Sequence, residues 1–346
     1  MTHLWVRAES RDHEARVGIM PDGVAALIAA GLRVTVEDSV QRIVPIADYV
    51  AAGAEIAAEG AWVDAPLDAL IFGLKELPAD GTPLRHTHIM FGHAYKGQPD
   101  GRVLLDRFKL GGGRLLDLEY LTDDTGRRVA AFGYWAGYAG AAVSLMCWMA
   151  QQQGKVMGPV RAVPTQAALL TDLRGAMAGV TAPPPSALII GALGRVGTGA
   201  ADLCRDMGVG TTLWDMAETA SGGPFPEILA HELFFNCILA RPGTPVFVPA
   251  SAKTAERRLS VIGDIACDPD SDFSPIKVYD RVTTWDAPAL RVHDAPVLDV
   301  TAIDNLPSLM PLESSADFAA QLLPHLAAPG SDVWARASKL FDQAIA

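Results

Sequence analysis

The chain has 346 residues, half of them apolar and one fifth charged, enough for one or two globular domains with cores of their own. Its net charge is −12 and no basic run is long enough to recognise nucleic acid or an anionic membrane, so neither partner class is expected. The four cysteines, Cys147, Cys204, Cys237 and Cys267, stand far apart without a C-x-x-C pair, which points to buried free thiols rather than a disulfide framework or a metal site.

His3 to Ala8 predicts a strand. A helix over Gly23 to Ala30, a strand over Leu32 to Val36, a helix over Ile46 to Ala52 and a short strand over Ala54 to Ala57 follow. Leu67 to Leu74 is an apolar strand that runs straight into Lys75-Glu-Leu-Pro78, and His88 to Lys96 is a further strand ending in polar groups. This alternation implies an α/β fold with a largely parallel sheet. Gly111 to Leu121 closes the series, and Thr122-Asp-Asp-Thr-Gly126 reads as a turn. Charges throughout Met1 to Pro21 argue against a signal peptide, and the expected location is cytoplasmic. Val129 to Gln153 holds no charged residue and is long enough to span a bilayer. Its Gly and Ala content, its Gln151-Gln-Gln153 end and its isolation between globular patterns favour a long buried helix instead.

A second α/β unit starts near Tyr134. Pro159 to Pro185 reads as irregular, and Pro183-Pro-Pro185 as a loop into the glycine motif Ser186 to Gly199. There, Ala187 to Ile190 is a buried strand, Gly191, Gly194 and Gly197 follow at three-residue spacing, and Ala200 to Met207 has a helical pattern. Strand, glycine turn and helix together form a pyrophosphate site, because a Cβ would block close approach and the helix N-terminus offers free N–H groups. The spacing is G-x-x-G-x-x-G rather than G-x-G-x-x-G, and a glycine turn also serves plain packing. Thr211 to Asp215 adds weight: a strand ending in an acid 24 residues after Gly191. That carboxylate would accept from a ribose 2′-OH and repel a 2′-phosphate, so NAD is expected over NADP; the plain alternative is a surface Asp after a strand. Later strands are predicted at Leu233 to Leu239, Leu259 to Ile265 and Pro296 to Ile303, and Glu313 to Ala346 is helical in pattern. The expected domains are 1–133 with 311–346, for substrate and catalysis, and 134–310, for NAD.

Open α/β sheets bind ligands at the carboxyl ends of their strands. Lys75 and Glu76 end one strand and His93 lies near the end of another; Lys96, Gln98, Arg127, Arg128 and Phe132 follow. This set is rich in cations and proton-transfer groups and suits a substrate with several carboxylates, which Arg can hold with two parallel bonds. A Lys beside a Glu keeps its charge, whereas a buried Lys becomes a base near neutral pH; the sequence leaves both open. Taken singly, a Lys-Glu after a strand is more often a solvated turn than a catalytic pair, and a lone His is more often structural. His86, His88 and His93 lack a carboxylate or Cys that would complete a metal-ligand spacing, so no metal is expected.

The wider pattern resembles the NAD-dependent, L-lysine-forming saccharopine dehydrogenases over nearly the whole chain. The resemblance is carried by Arg7-Ala-Glu9, Glu14-Ala-Arg16, Gly73-Leu-Lys-Glu76, His93-Ala-Tyr-Lys-Gly-Gln98, Asp117-Leu-Glu119 and Gly126 to Gly133. In the second domain Ile189 to Arg195, Gly222-Gly-Pro-Phe225, Asn236-Cys-Ile238 and Ile303-Asp-Asn-Leu-Pro-Ser308 carry it. It implies kinship with alanine dehydrogenase and transhydrogenase: two Rossmann-like domains with parallel sheets and an active-site cleft between them, and a C-terminal helix returning to the first domain. The implied reaction is reversible cleavage of saccharopine by NAD and water to L-lysine, 2-oxoglutarate and NADH.

By resemblance Lys75 is a general base on the substrate amine, His93 handles protons in imine hydrolysis, and Glu76 and Glu119 tune the two. Arg16, Lys96, Gln98, Arg128 and Phe132 would hold the substrate. Arg127, Gly191, Gly194, Arg195, Gly197, Asp215, Thr219, Ile265, Ile303, Asp304, Asn305 and Leu306 would line the NAD site. Three departures stand out. Val196 replaces a Cys of the fungal members, so Cys237 is expected to lack a disulfide partner there and redox control through that bridge is excluded; Leu239 replaces a Tyr; and the peroxisomal tail is not expected. The rival readings are an alanine dehydrogenase-like or opine-type imine reductase, and an NAD-binding regulator without turnover. Oligomeric state stays open.

Overall fold

A computed structural model of the protein describes residues 1–95 and 99–346. The chain divides into two compact units, Met1–Ala131 with Pro311–Ala346 and Phe132–Met310.

The first unit begins β1 (His3–Val6), α1 (Pro21–Ala29), β2 (Arg33–Glu37), α2 (Ile46–Ala51), β3 (Glu55–Ala57) and β4 (Leu70–Phe72). It continues with β5 (Thr87–Met90), α3 (Pro99–Gly111) and β6 (Arg114–Asp117). Its six strands are all parallel, in the order β3-β2-β1-β4-β5-β6. The order reverses between β1 and β4, so the chain leaves these neighbouring strands in opposite directions and opens a crevice at their carboxyl ends. The central strands bury both faces, which is why Ile71, Phe72, Ile89 and Met90 form continuous apolar runs. The strands are shorter than the apolar runs suggest: β4 stops at Phe72 and β5 at Met90, leaving Lys75, Glu76 and His93 in the loops beyond. Helix α3 goes unannounced because Asp100, Arg102, Asp106, Arg107 and Lys109 interrupt the apolar positions Leu104, Leu105 and Phe108 that it buries.

The second unit starts with α4 (Gly133–Gln152), α5 (Gln166–Ala178), β7 (Ser186–Ile190), α6 (Arg195–Asp206), β8 (Gly210–Trp214) and α7 (Met216–Thr219). Then come β9 (Leu233–Asn236), β10 (Val261–Asp264), β11 (Leu290–Asp294) and β12 (Val297–Thr301). The sheet order is β11-β12-β10-β9-β7-β8. The sheet is mostly parallel, as expected, with β11 running antiparallel to β12 as the edge of a hairpin closed at Asp294 to Val297. One expectation is corrected: the less regular stretch Pro159 to Pro185 holds a helix, α5, whose N-cap Thr165 accepts the Ala168 N–H.

The uncharged stretch is α4, buried over most of its length in this unit's core. Gly137 lets α4 and α6 approach closely. A Cβ at Gly137 would lie 1.8 Å from the Val196 carbonyl oxygen of α6, and one at Gly199 of α6 would lie 1.9 Å from that of Tyr134. Among the described residues no helix is long and apolar enough to cross a membrane.

Helices α8 (Pro311–Leu326) and α9 (Asp332–Ile345) return to the first unit. Arg114 of β6 donates to Ser338 and Asp342 of α9, and Phe341 packs edge-on against Phe108 of α3. The expected single helical segment is broken at 327–331, after Pro324 in the last turn of α8.

Candidate functional site

Three adjacent strands of the first unit, β4, β5 and β6, deliver their carboxyl ends to one edge. Lys75 and Glu76 follow β4, His93 follows β5, and Glu119 follows β6. Lys75 is buried. His93 Nδ1 lies 3.3 Å from Glu119 Oε2, with the imidazole half exposed. His93 has a positive φ of 48°, and its ring stacks on Phe91 at 20°. Asp117, the last residue of β6, accepts the Glu119 N–H at 2.9 Å. Burial pushes its carboxyl up to about 6, against the opposing pull of backbone donors at Glu119 and Gly92. Glu76 lies 3.6 Å from Arg11. A cavity of about 630 Å³ opens beside these groups, lined by Glu76, Arg11, His93, Arg107 and Leu104.

Arg16 is 3% exposed and turns its fork toward Glu14, with Nε and Nη2 donating to the two carboxylate oxygens at 2.8 and 2.6 Å. Arg127 and Arg128 are exposed on the turn after β6. Asp123 shapes that turn by accepting the Thr125 and Arg127 N–H groups, each at 2.9 Å. Phe132 is the N-cap residue of α4. Lys96 and Gln98 lie outside the described residues.

In the second unit the glycine turn links β7 to α6. Gly191 has φ +89°, and its N–H and that of Ala192 donate to the Trp214 carbonyl at 2.9 and 3.0 Å. Gly194 is the N-cap of α6 and Arg195 its first residue. A Cβ on Gly197 would lie 2.2 Å from the Gly191 oxygen, so the turn closes on the helix only with glycine there. The first N–H groups of the twelve-residue α6 have no intrahelical acceptor and suit an anion. Asp215 stands at the end of β8 as the N-cap of α7, and the Thr219 hydroxyl donates to its carbonyl. Ile265 follows β10. Ile303, Asp304, Asn305 and Leu306 follow β12, with Ile303 and Leu306 buried, Asp304 exposed and Asn305 at φ +66°. These groups fit a dinucleotide: a cradle that a side chain would fill, a helix N-terminus, and a carboxylate one strand away.

Cys147 and Cys204 are buried, Cys237 and Cys267 partly so, and all four are free. Burial pushes the Cys237 thiol far above its usual range, which keeps it protonated. Leu239 is largely exposed. No group of His, Cys, Asp and Glu that could hold a metal occurs among the described residues; His86 bonds the Ala65 carbonyl and His88 is enclosed by Trp62 and Phe108.

Some residues at this edge received no role from the sequence. Arg7, Glu9, Glu14 and Asp117 are buried ions within or beside the loops that carry Lys75, Arg16 and Glu119. Arg7-Ala-Glu9 and Asp117-Leu-Glu119 were visible as motifs, but only the fold shows which backbone groups they serve.

Residues 5–139 match the family model of the alanine dehydrogenase/PNT N-terminal domain. A saccharopine dehydrogenase (NAD+, L-lysine-forming) from Emericella nidulans is 44% identical over 364 residues, covering 99% of this chain and 97% of its own. That of Neurospora crassa is 43% identical over 360 residues, covering 100% of this chain and 97% of its own. A solved L-alanine dehydrogenase superimposes with a TM-score of 0.70 at 20% identity, over 99% of this chain and 94% of its own, a likeness of fold. With relatives this similar along nearly their whole length, the chain belongs to the saccharopine dehydrogenase (NAD+, L-lysine-forming) family.

Proposed function

We propose that this protein catalyses the reversible oxidative cleavage of saccharopine to L-lysine and 2-oxoglutarate, with NAD as hydride acceptor. The observation that carries the reading is the gathering of Lys75, Glu76, His93 and Glu119 at the ends of three adjacent parallel strands. Residues 1–133 with 311–346 serve the substrate in this reading and 134–310 serve NAD. A cytoplasmic location completes it.

The chemistry asks for two separate proton transfers. Saccharopine joins the lysine side chain to a glutaryl carbon through a secondary amine. Lys75 takes the proton of that amine, so that its lone pair can expel hydride from the glutaryl carbon. The Gly191 to Gly197 turn would hold the pyrophosphate of NAD and Asp215 a ribose hydroxyl, and the cofactor would supply the hydride acceptor when bound. Water then adds to the carbon of the C=N bond. His93 removes a proton from the attacking water and returns one to the departing lysine amine, which leaves 2-oxoglutarate. Glu119 beside Nδ1 orients the imidazole, and Glu76 adjusts the charge near Lys75. Arg16, Lys96, Gln98, Arg128 and Phe132 hold the substrate's carboxylates and chain, and Arg127, Arg195, Thr219, Ile265 and Ile303 to Leu306 hold NAD.

The test is NADH oxidation with 2-oxoglutarate and a panel of amines. Turnover with L-lysine well above that with ornithine or alanine is expected. Preference for alanine with pyruvate, or NADH binding without turnover on any amine, would overturn the reading.

A further inference from the structure

The loop that carries Lys75 leaves the sheet at the switch point, and its backbone needs partners that the sheet no longer supplies. On the β5 side the ladder continues: Gly73 N–H donates to Ile89 O and Phe91 N–H to Leu74 O, both at 3.0 Å. On the β1 side it ends with Arg7 N–H donating to Phe72 O at 2.9 Å. Beyond that point two side chains take over. Glu9 Oε1 accepts the Leu74 N–H at 2.6 Å and Glu9 Oε2 the Lys75 N–H at 3.0 Å. Arg7 Nη2 donates to the Lys75 carbonyl, while Nη1 donates to Ala8 O at 3.0 Å and to Glu9 Oε2 at 3.3 Å. Lys75 is thus gripped at its N–H by an anion and at its C=O by the cation paired with that anion.

The grip is buried and tightly fitted. Arg7 is 2% exposed and Glu9 9%. A Cβ on Gly73 would lie 2.4 Å from the Arg7 guanidinium, so this glycine is the surface on which the guanidinium lies. A buried ion pair is a poor source of stability beside an apolar pair of similar volume. Here both partners direct charge-assisted bonds at one loop residue, which fixes that residue's backbone geometry.

We propose that Arg7 and Glu9 are positioning residues that clamp the backbone of Lys75 and so set where its amine stands in the reaction. The proposal rests on Lys75 acting as the base. Neither clamp residue needs to touch substrate.

The test measures kcat, KM, the pH profile of kcat/KM, NADH affinity by fluorescence and the thermal midpoint. The variants are Glu9→Gln, Arg7→Lys, Arg7→Met and the double variant Arg7→Met/Glu9→Gln, which strands no buried charge. Lys75→Met and Lys75→Met/Glu9→Gln complete the set, each with and without a small primary amine in solution. Glu9→Gln is expected to lower kcat by about 10²-fold, the effect of a small misplacement of a reacting group. KM and NADH affinity should stay within about two-fold, and the ionisation that Lys75→Met abolishes should move. Arg7→Lys should recover part of the Arg7→Met loss. The double variant should fold and show the same kcat defect. In the Lys75→Met background, adding Glu9→Gln should change nothing, and the amine should rescue both proteins to the same rate. If Glu9→Gln slows the amine-rescued enzyme as much as it slows the wild type, or leaves kcat and its pH profile intact, the clamp is wrong while the base stands. Full activity in Lys75→Met overturns both, and that single variant tells the two failures apart.

Discussion

Asp215 Oδ2 accepts the backbone N–H of Leu193 at 3.0 Å, joining the end of β8 to the glycine turn that follows β7. Its Oδ1 accepts the Met216 N–H at 2.9 Å, and Glu218 returns a bond to the Asp215 N–H at 2.7 Å. The carboxylate is therefore held in place beside the turn. We predict strong preference for NADH over NADPH, because a 2′-phosphate would meet this charge, and relaxation of that preference in Asp215→Ala. Loss of the cap should cost that variant about 1 kcal/mol of stability. Steady-state rates with the two cofactors decide it; equal use of both by the wild type would sink the assignment.

Lys75 and His93 form the proposed acid–base pair, and such groups contribute about 10²–10⁴-fold each. Lys75→Met and His93→Gln should each lower kcat by at least about two orders of magnitude, with NADH binding retained. The losses should be strongly non-additive in the double variant. Each single variant should remove one ionisation from the pH profile of kcat/KM; unchanged profiles in both would make the two residues structural.

Arg128→Ala should raise KM for 2-oxoglutarate or saccharopine, by the equivalent of about 1.5–3 kcal/mol for a charge-assisted contact. NADH affinity should barely change. Loss of NADH binding with substrate affinity intact would contradict the role.

His88 is fully buried against Trp62 and Phe108, and neither ring nitrogen has a hydrogen-bond partner. Burial, with the charges of Arg7, His86 and Arg107, holds its pKa down at about 3. The unfolded chain binds a proton near pH 6.5 that the folded protein refuses, so stability from this group is present above pH 6.5 and is lost as pH falls toward 3. Its slope is at most about 1.4 kcal/mol per pH unit. His88→Leu should flatten the denaturation midpoint against pH across that window. An unaltered slope would mean that other groups set the acid sensitivity.

Two helix glycines should respond oppositely to alanine. Gly137→Ala puts a methyl into the Val196 carbonyl and should destabilise by about 1–3 kcal/mol. Gly175→Ala on α5 meets nothing within 4 Å and should stabilise by about 0.5–1 kcal/mol. Chemical denaturation of the two variants checks the pair.

Much of this architecture was legible because buried parallel strands are apolar on both faces, as Ala187 to Ile190 and Leu233 to Asn236 show. The glycine turn was legible because Gly191 and Gly197 occupy positions where backbone approach is close. Helix α3 was hidden by its charged face, and β11 by a strand whose residues are only partly buried. Pattern alone set Lys75 and His93 beside the carboxyl ends of β4 and β5, though both strands stop short of them and leave them in loops. Glu9 could not be assigned to the Lys75 backbone, since that contact spans 66 residues and depends on β1 and β4 being neighbours. The Glu14 bonds to Arg16 likewise form in a stretch without regular structure, where the residue pattern sets no geometry.

The division of the chain also sets an order of events during synthesis. The unit Phe132–Met310 is continuous, so it is complete once Met310 has cleared the ribosome. The other unit is not: its core of Leu84, Met90, Leu104, Phe108 and Leu115 is closed by Phe341, which follows the whole of the continuous unit in the chain. A nascent chain holding all six strands of that unit still exposes the apolar floor beneath α9. Chaperone demand in the cell therefore falls on the segment that precedes Phe132 and lasts until α9 docks.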